Sequence, residues 1–163
     1  MNPLLFISED KEKALIQQIT YLIQVSEIDI HPSDTCFLMV SPDYSAIVTQ
    51  HLSHSLSIDG EIFHIESVNV PFPDENVNEY RKDFIENYLK WSKQWKKFVL
   101  IEAGVIRGGN YKWITDIIDK KYYTVALCEN IHSKFKSDFV SLYYDDSKVD
   151  LHFWWERPNN HWR

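Results

Sequence analysis

Apolar residues follow two different spacings in this chain, and the two alternate along its middle part. Three continuous apolar runs of strand length occur: TCFLMV (35–40), FVLIE (98–102) and YYTVALC (122–128). Uninterrupted runs of this kind are typical of strands that are covered on both faces, as in a parallel sheet. Weaker strand candidates are EIFHIESV, whose residues alternate as in a less buried strand, FVSLYY and VDLHFWW.

Segments with helical spacing separate these runs. Ser8 with Glu9 and Asp10 has the composition of a helix cap and an acidic first turn, and apolar positions recur after it every three or four residues. Further helices are predicted over about 44–56, 77–95 and 110–120. The alternation predicts an α/β fold: a three-layer, open, mostly parallel sheet with helices on both faces. The length fits one domain, 1–163, with a helical insertion at about 70–95.

Composition narrows the classes of function. The 163-residue chain is 44% hydrophobic and carries a formal net charge of -7, which argues against binding to nucleic acid or to anionic membranes. Cys36 and Cys128 lie inside apolar runs, as buried thiols do in a reducing compartment. The first residues lack the basic and long apolar parts of a signal peptide, and no apolar stretch approaches the roughly 20 residues of a membrane helix. We therefore expect a cytoplasmic protein.

Ligand-binding loops are expected where strands lead into helices, because ligands of open α/β sheets lie beyond the carboxyl ends of the strands. Two such loops are predicted, 41–45 and 103–110. The second contains Gly104, Gly108 and Gly109. It lacks the Gly-Lys-Ser/Thr of a Walker loop and the glycine spacing of a dinucleotide fingerprint, so neither motif is present.

The segment VLIEAGVIRGGN resembles, in order and length, the motif with which type I phosphoribosyltransferases hold phosphoribosyl pyrophosphate (PRPP). In that family a buried strand is followed by two acidic residues, an apolar stretch and a Thr-Gly-x-Thr turn that opens a helix. Glu102 matches the first acid and Gly108 matches the glycine of the turn, whereas Ala103 stands at the second acid. Arg107 and Asn110 stand where the family has threonines.

The resemblance implies a role for each position of this segment. Glu102 is the implied catalytic residue and would hydrogen-bond the ribose hydroxyls of PRPP, while N–H groups of the turn and helix start would hold the 5′-phosphate. Arg107 would add a guanidinium, which is a natural phosphate partner, and Asn110 would cap the helix as Thr does. The implied PRPP and phosphate contacts are Ala103, Gly104, Arg107, Gly108, Gly109 and Asn110.

The earlier loop corresponds to the loop that contacts pyrophosphate in the family. Its residues here are Ser41, Pro42, Asp43 and Tyr44, which include an acid and no glycine. Mg²⁺ would arrive through PRPP if the protein is active, and no metal site of the protein's own is predicted.

The segment LHFWWERP resembles the Phe-Pro-Trp-Glu ending of several purine-type members, near the hood that holds the base. Phe153, Trp155 and Glu156 match that ending, and Trp154 replaces the proline. The resemblance implies base contacts at these four residues and a hood-like segment at about 148–163. Aromatic rings here either stack on a base or close the edge of the core.

Two classes of function remain open. The resemblance implies a phosphoribosyltransferase-like protein that transfers phosphoribose from PRPP to a purine-type base or binds a ribose-phosphate ligand. The alternative is a catalytically inactive nucleotide-sensing or protein-interaction module of the same fold, which Ala103 and Asp43 favour. A flavodoxin-like domain with a coincidental loop is a third interpretation. The expected partner is a small-molecule ribose phosphate or nucleotide, and a homodimer is compatible with the sequence.

Overall fold

The computed structural model describes residues 1–156. These residues form seven strands and four helices, which alternate through the middle of the chain. In chain order they are β1 (Leu4–Ile7), α1 (Glu9–Val25), β2 (Thr35–Val40), α2 (Pro42–Ser55), β3 (His64–Val68), α3 (Val77–Gln94), β4 (Lys97–Val105), α4 (Gly109–Thr115), β5 (Lys121–Asn130), β6 (Phe139–Tyr144) and β7 (Asp150–Phe153).

Five of the strands form one open sheet in the order β3-β2-β4-β5-β6, and each neighbouring pair is parallel. The three continuous apolar runs are β2, β4 and β5, which occupy the middle of the sheet and are largely buried. Two of the weaker candidates are the edge strands β3 and β6, which leave part of their residues in solvent. The predicted open, mostly parallel sheet is confirmed. The continuous runs belong to its middle because only central strands need apolar side chains on both faces.

Helices cover both faces of the sheet and create two apolar clusters. α1 and α2 pack on one face, where Ile19 and Leu52 share a cluster with Val99 of β4. α3 and α4 pack on the other face, where Phe84 shares a cluster with Leu100. Successive side chains of β4 therefore face opposite layers, and this alternation also decides which side chains at the carboxyl end of the strand face which layer.

A second, two-stranded sheet joins the two ends of the described chain. β1 pairs in parallel with β7, with Ile7 opposite Phe153. β1 is absent from the sequence prediction, because four residues are too few to display a periodicity and their partner lies at the far end of the chain. We call β1, β7 and residues 154–156 the hood. The last part of the predicted hood-like segment, 157–163, lies outside the described residues.

The end of β4 differs from the prediction. The strand was expected to end at Glu102, but it continues to Val105, which still pairs with Glu129 of β5. The loop predicted over 103–110 therefore shrinks to 106–108. The pairing of neighbouring strands outweighs the local turn signal of the glycine in this segment.

Helix α4 is shorter than predicted. It ends at Thr115 rather than near residue 120, and Ile117 N donates to Ile114 O at 3.0 Å in a tighter turn. The chain has to reverse here because β5 begins at Lys121. Within residues 1–156, no helix is long and apolar enough to cross a membrane.

Candidate functional site

A cleft of about 690 Å³ lies beyond the carboxyl ends of β2, β3 and β4. Four segments form its walls: the turn into α2, the stretch after β3, the end of β4 with the start of α4, and the hood. This is where an open parallel sheet is expected to bind its ligand. The lining residues are Ser41, Pro42, Asp43, Tyr44, Asn69, Val70, Pro71, Phe72, Pro73, Tyr80, Glu102, Gly104, Ile106, Asn110, Leu151, Phe153 and Glu156.

Glu102 is a largely buried acid in this cleft, with only 8% of the residue exposed. The Nδ2 of Asn110 donates a hydrogen bond to its Oε1 across 3.1 Å. Burial raises the pKa of Glu102 to about 7, and the hydrogen bond from Asn110 opposes part of that rise. Near neutral pH the carboxyl group is therefore a mixture of acid and carboxylate, which can both donate to and accept from a ligand hydroxyl.

Ala103 faces the opposite layer and belongs to the core beneath α1 and α2. It is fully buried in the same apolar cluster as Ile101 and Val48. Its backbone N–H donates to Ser45 Oγ at 3.0 Å. Ala103 is consequently outside the lining of the cleft, in contrast to its neighbour Glu102.

Gly108 allows the turn between β4 and α4. Its φ is +79°, and an added Cβ would lie 2.3 Å from the Cβ of Phe135 and 2.9 Å from the Oγ of Ser133. Only glycine combines this conformation with so close an approach. Asn130 fixes the same turn, since its Nδ2 donates to Ile106 O at 3.0 Å. The turn is therefore held by the end of β5 and the segment that follows it.

The residues predicted to hold the ligand phosphate are divided by this turn. Gly104 and Asn110 line the cleft, whereas Gly108 is buried against the segment after β5. Arg107 and Gly109 are exposed and do not line the cleft, and nothing lies within 4 Å of a Cβ added at Gly109. The structure thus brings together only part of the predicted phosphate loop.

The four residues predicted as the pyrophosphate loop all line the cleft. Ser41, at the start of α2, has φ 57° and ψ 74°, a left-handed conformation that is uncommon for a residue with a side chain. Burial, Glu156 and Asp43 together raise the pKa of the Tyr44 hydroxyl. The described lining contains neither Lys nor Arg, so Asp43, Glu102 and Glu156 give the cleft an acidic character.

The residues predicted to contact a base are divided between the cleft wall and the core. Phe153 lines the cleft, but it is only 3% exposed and stacks on Trp155 with ring centroids 4.6 Å apart. It also packs on β4, since a Cβ added at Gly104 would lie 3.3 Å from its Cε2. Glu156 lines the cleft, whereas Trp154 and Trp155 do not. The hood aromatics therefore close the core as well as the cleft.

The segment after β3 contributes lining residues that the sequence analysis did not identify. Asn69 to Pro73 all border the cleft. Phe72 is its most exposed aromatic residue, at 65%. An aromatic residue between two prolines shortly after a strand is the sequence signal that could have revealed it, because the prolines end the strand and leave the aromatic residue in the loop beyond its carboxyl end.

The described residues do not form a metal site of their own. Among residues 1–156, no group of three or more His, Cys, Asp or Glu side chains is placed to hold a metal ion. The acids of the cleft come from separate segments.

Comparison with solved structures establishes the fold. No protein-family model and no curated protein matches the sequence. The purine phosphoribosyltransferase of Pyrococcus horikoshii superimposes with a TM-score of 0.64 at 12% identity, covering 94% of each chain. Helicobacter pylori xanthine-guanine-hypoxanthine phosphoribosyltransferase gives 0.62 at 14% identity, covering 93% of this chain and 92% of that one.

A third structure of the same fold is a Neisseria gonorrhoeae protein with bound ppGpp. It gives a TM-score of 0.66 at 10% identity, covering 98% of this chain and 92% of that chain. The chain therefore has the fold of the type I phosphoribosyltransferases, and at these low identities the structural similarity shows the fold alone.

Proposed function

We propose that this protein binds a ribose-phosphate ligand, either a nucleotide or PRPP, in the cleft beyond β2 and β4. The hydrogen bond between Asn110 and Glu102 inside the cleft carries the proposal. Ribose offers two neighbouring hydroxyl groups, and a carboxyl group beside a carboxamide supplies donors and acceptors for both. Bonds made by a largely buried acid are stronger than the same bonds in water.

The phosphate of such a ligand would lie at the turn into α4. Arg107 is exposed there, and a guanidinium forms charge-assisted hydrogen bonds with phosphate. The open space beside Gly109 leaves room for a phosphate to approach the backbone. Both features lie within the same short segment as Asn110, so one ligand could reach the ribose and phosphate contacts together.

Binding without transfer agrees best with the charges in the cleft. A transferase that uses PRPP has to hold pyrophosphate and release it, but the turn into α2 presents Asp43, and the described lining has no Lys or Arg to balance it. Ala103 supplies no second carboxylate and is buried in the other layer. The structural neighbour that carries ppGpp supports a nucleotide as the class of ligand.

Transferase activity is the second candidate function, and the ionisation of Glu102 favours it. A carboxyl group with a pKa of about 7 exchanges its proton readily at neutral pH, as a general acid–base catalyst must. In the reaction, a nitrogen of a purine-type base would form a bond to C1 of the ribose while the bond from C1 to pyrophosphate breaks, and the proton of that nitrogen would pass to the Glu102 carboxylate. Mg²⁺ would enter with the phosphates of PRPP.

Calorimetry with ribose 5-phosphate, a purine nucleoside 5′-monophosphate and PRPP, each with and without Mg²⁺, tests the proposal. We expect at least one ligand to bind, and Glu102→Ala to weaken its binding by about tenfold or more. Glu86→Ala, an exposed acid on α3, is the matched control and should change nothing. Failure of all three ligands, or equal affinity in Glu102→Ala, would overturn the proposal.

Pyrophosphate release separates the two candidate functions. Wild-type protein is incubated with PRPP, Mg²⁺ and purine bases, and the released pyrophosphate is measured. Binding without release identifies a nucleotide-binding protein. Release that depends on Glu102 identifies a transferase.

A further inference from the structure

We infer that Phe72 stacks on a planar ring, and hence that the ligand of the cleft carries a nucleobase rather than being a bare sugar phosphate. The inference rests on the proposed function, because it assumes that the ribose phosphate lies in the same cleft. It assigns a specificity role to the segment between β3 and α3.

Phe72 lines the cleft and exposes a large apolar ring to solvent. The residue is 65% exposed, whereas Phe153, the other phenylalanine of the cleft, is 3% exposed. A nucleobase has two flat faces. When one of them stacks on an aromatic side chain, that face of the base and one face of the phenyl ring are both removed from water. The exposed ring is therefore a surface that a base would cover.

The backbone of Phe72 is held at both of its polar groups. Phe72 N donates to Glu75 Oε1 at 3.1 Å, and Glu75 N donates to Phe72 O at 3.0 Å. Tyr80 of α3 donates its hydroxyl to the other carboxyl oxygen, Glu75 Oε2, at 2.5 Å. The Glu75 carboxylate therefore links the backbone of Phe72 to Tyr80 of helix α3.

Prolines on both sides restrict the same residue further. The ring of Pro71 fixes its own φ, and Pro73 confines the preceding Phe72 to extended conformations. A residue whose backbone is held in this way loses little backbone freedom when a ligand stacks on its ring, and this preorganisation favours binding. An exposed phenylalanine on an unrestrained loop would lack that advantage.

No other aromatic residue of the described cleft offers an equivalent surface. Phe153 is covered by Trp155 and by the backbone at Gly104. Tyr44 is 40% exposed, but its hydroxyl lies in the field of two acids, Glu156 and Asp43. Tyr80 also lines the cleft, but it is only partly exposed and its hydroxyl is bound to Glu75. The open apolar face is therefore that of Phe72.

Calorimetry of Phe72→Ala with two ligands tests the inference. Ribose 5-phosphate lacks a ring, and a purine nucleoside 5′-monophosphate adds one. We expect Phe72→Ala to weaken binding of the monophosphate by about tenfold and to leave ribose 5-phosphate unchanged. Phe72→Trp should retain the affinity for the monophosphate. The control Tyr21→Ala removes a ring of similar exposure, 63%, from α1 and should affect neither ligand.

The outcomes separate this inference from the proposed function. If both ligands bind and Phe72→Ala retains full affinity for the monophosphate, the stacking role is overturned and the proposed function stands. An equal loss for both ligands also overturns it, because Phe72 would then act on the shape of the cleft rather than on a ring. If neither ligand binds to the wild-type protein, both ideas are wrong.

A second variant tests how Phe72 is positioned. Glu75→Ala removes the acceptor of the Phe72 N–H while leaving the ring itself in place. We expect Glu75→Ala to weaken binding of the monophosphate more than binding of ribose 5-phosphate. The loss should be smaller than that caused by Phe72→Ala.

Discussion

Asn110 donates its side-chain amide to Glu102 across 3.1 Å, and this bond joins the end of β4 to the first turn of α4. Because Glu102 is largely buried, its surroundings determine its charge: burial raises its pKa to about 7, and the amide of Asn110 restrains the rise. The proposed ribose contact is therefore also a group that titrates near neutral pH.

Glu102 should make the folded protein less stable as the pH rises from about 4.5 to about 7. Its pKa is about 7 in the folded state and 4.5 in its unperturbed state, so the folded protein binds the proton more tightly within this window. This group alone should lower the free energy of unfolding by about 3 kcal/mol across the window, with no further loss above it.

Urea unfolding of the wild type and Glu102→Gln at about pH 5 and about pH 8 measures this contribution. Glu102→Gln cannot ionise and should lose less stability between the two conditions. Glu86→Gln serves as the exposed control and should follow the wild type. Identical pH dependence in the wild type and Glu102→Gln would contradict the prediction.

Removing the Asn110 amide should raise the pKa of Glu102 further above its ordinary value. The hydrogen bond from Asn110 favours the carboxylate, so Asn110→Ala leaves burial unopposed. The variant should also be less stable by about 1 kcal/mol. NMR titration of the Glu102 carboxyl carbon measures the shift, with the exposed Asn87→Ala on α3 as control. A pKa that stays the same or falls would show that the bond does not act on the ionised form.

The two adjacent glycines at the start of α4 should respond in opposite ways to alanine. Gly108→Ala places a Cβ 2.3 Å from that of Phe135 at a φ of +79°, so we expect a loss of about 2 kcal/mol or more. Gly109→Ala meets nothing within 4 Å and stands at a helix start, so it should be neutral or stabilising by up to about 1 kcal/mol. Chemical denaturation measures both. Equal effects would mean that the turn is not held by the Phe135 contact.

Installing the missing second acid should destabilise the protein instead of creating activity. Ala103 is fully buried on the α1 and α2 side of β4, so Ala103→Asp would put a carboxylate into an apolar core at a cost of about 3 kcal/mol or more. Ala103→Ser, of similar size and uncharged, should cost less. Melting temperatures measure the difference. A stable Ala103→Asp protein that binds PRPP more tightly would show that this side chain reaches the cleft.

The two histidines on α2 should differ strongly in their importance. Glu12 of α1 is fully buried, and its Oε1 is hydrogen-bonded to His51 Nδ1 at 2.7 Å. Its Oε2 has no hydrogen-bond partner among the described residues. His51→Ala removes that partner and should cost about 3 kcal/mol. His54→Ala, on the exposed side of the helix, should cost about 0.5 kcal/mol or less. Urea unfolding of both variants decides whether the Glu12 contact stabilises the pair of helices.

The elements that the sequence predicted well are those whose signals are local. The run 35–40 is almost entirely apolar because β2 is covered on both faces. The cap at Ser8 was predictable because a capping residue and the acids of the first turn are adjacent in the sequence, and in the structure Ser8 Oγ accepts from Lys11 N. These signals need no knowledge of the rest of the chain. The sheet and the start of α1 followed from them.

The remaining features depend on contacts between distant segments. The pairing of β1 with β7 has no local signature, and neither does the burial of Ala103 under Ser45. The acid at Glu102 was identified by its resemblance to a motif, but its raised pKa arises from packing that the sequence does not display. Phe72 was missed because its position over the cleft depends on Glu75 and α3.

The pairing of β1 with β7 couples the amino-terminal strand to the ligand cleft. Ile7 lies opposite Phe153, the residue that covers β4 at Gly104. Removal of residues 1–8 should therefore take away one strand of the hood and weaken binding of the proposed ligand, while the five-stranded sheet keeps its own pairings. Calorimetry of the shortened protein measures the loss.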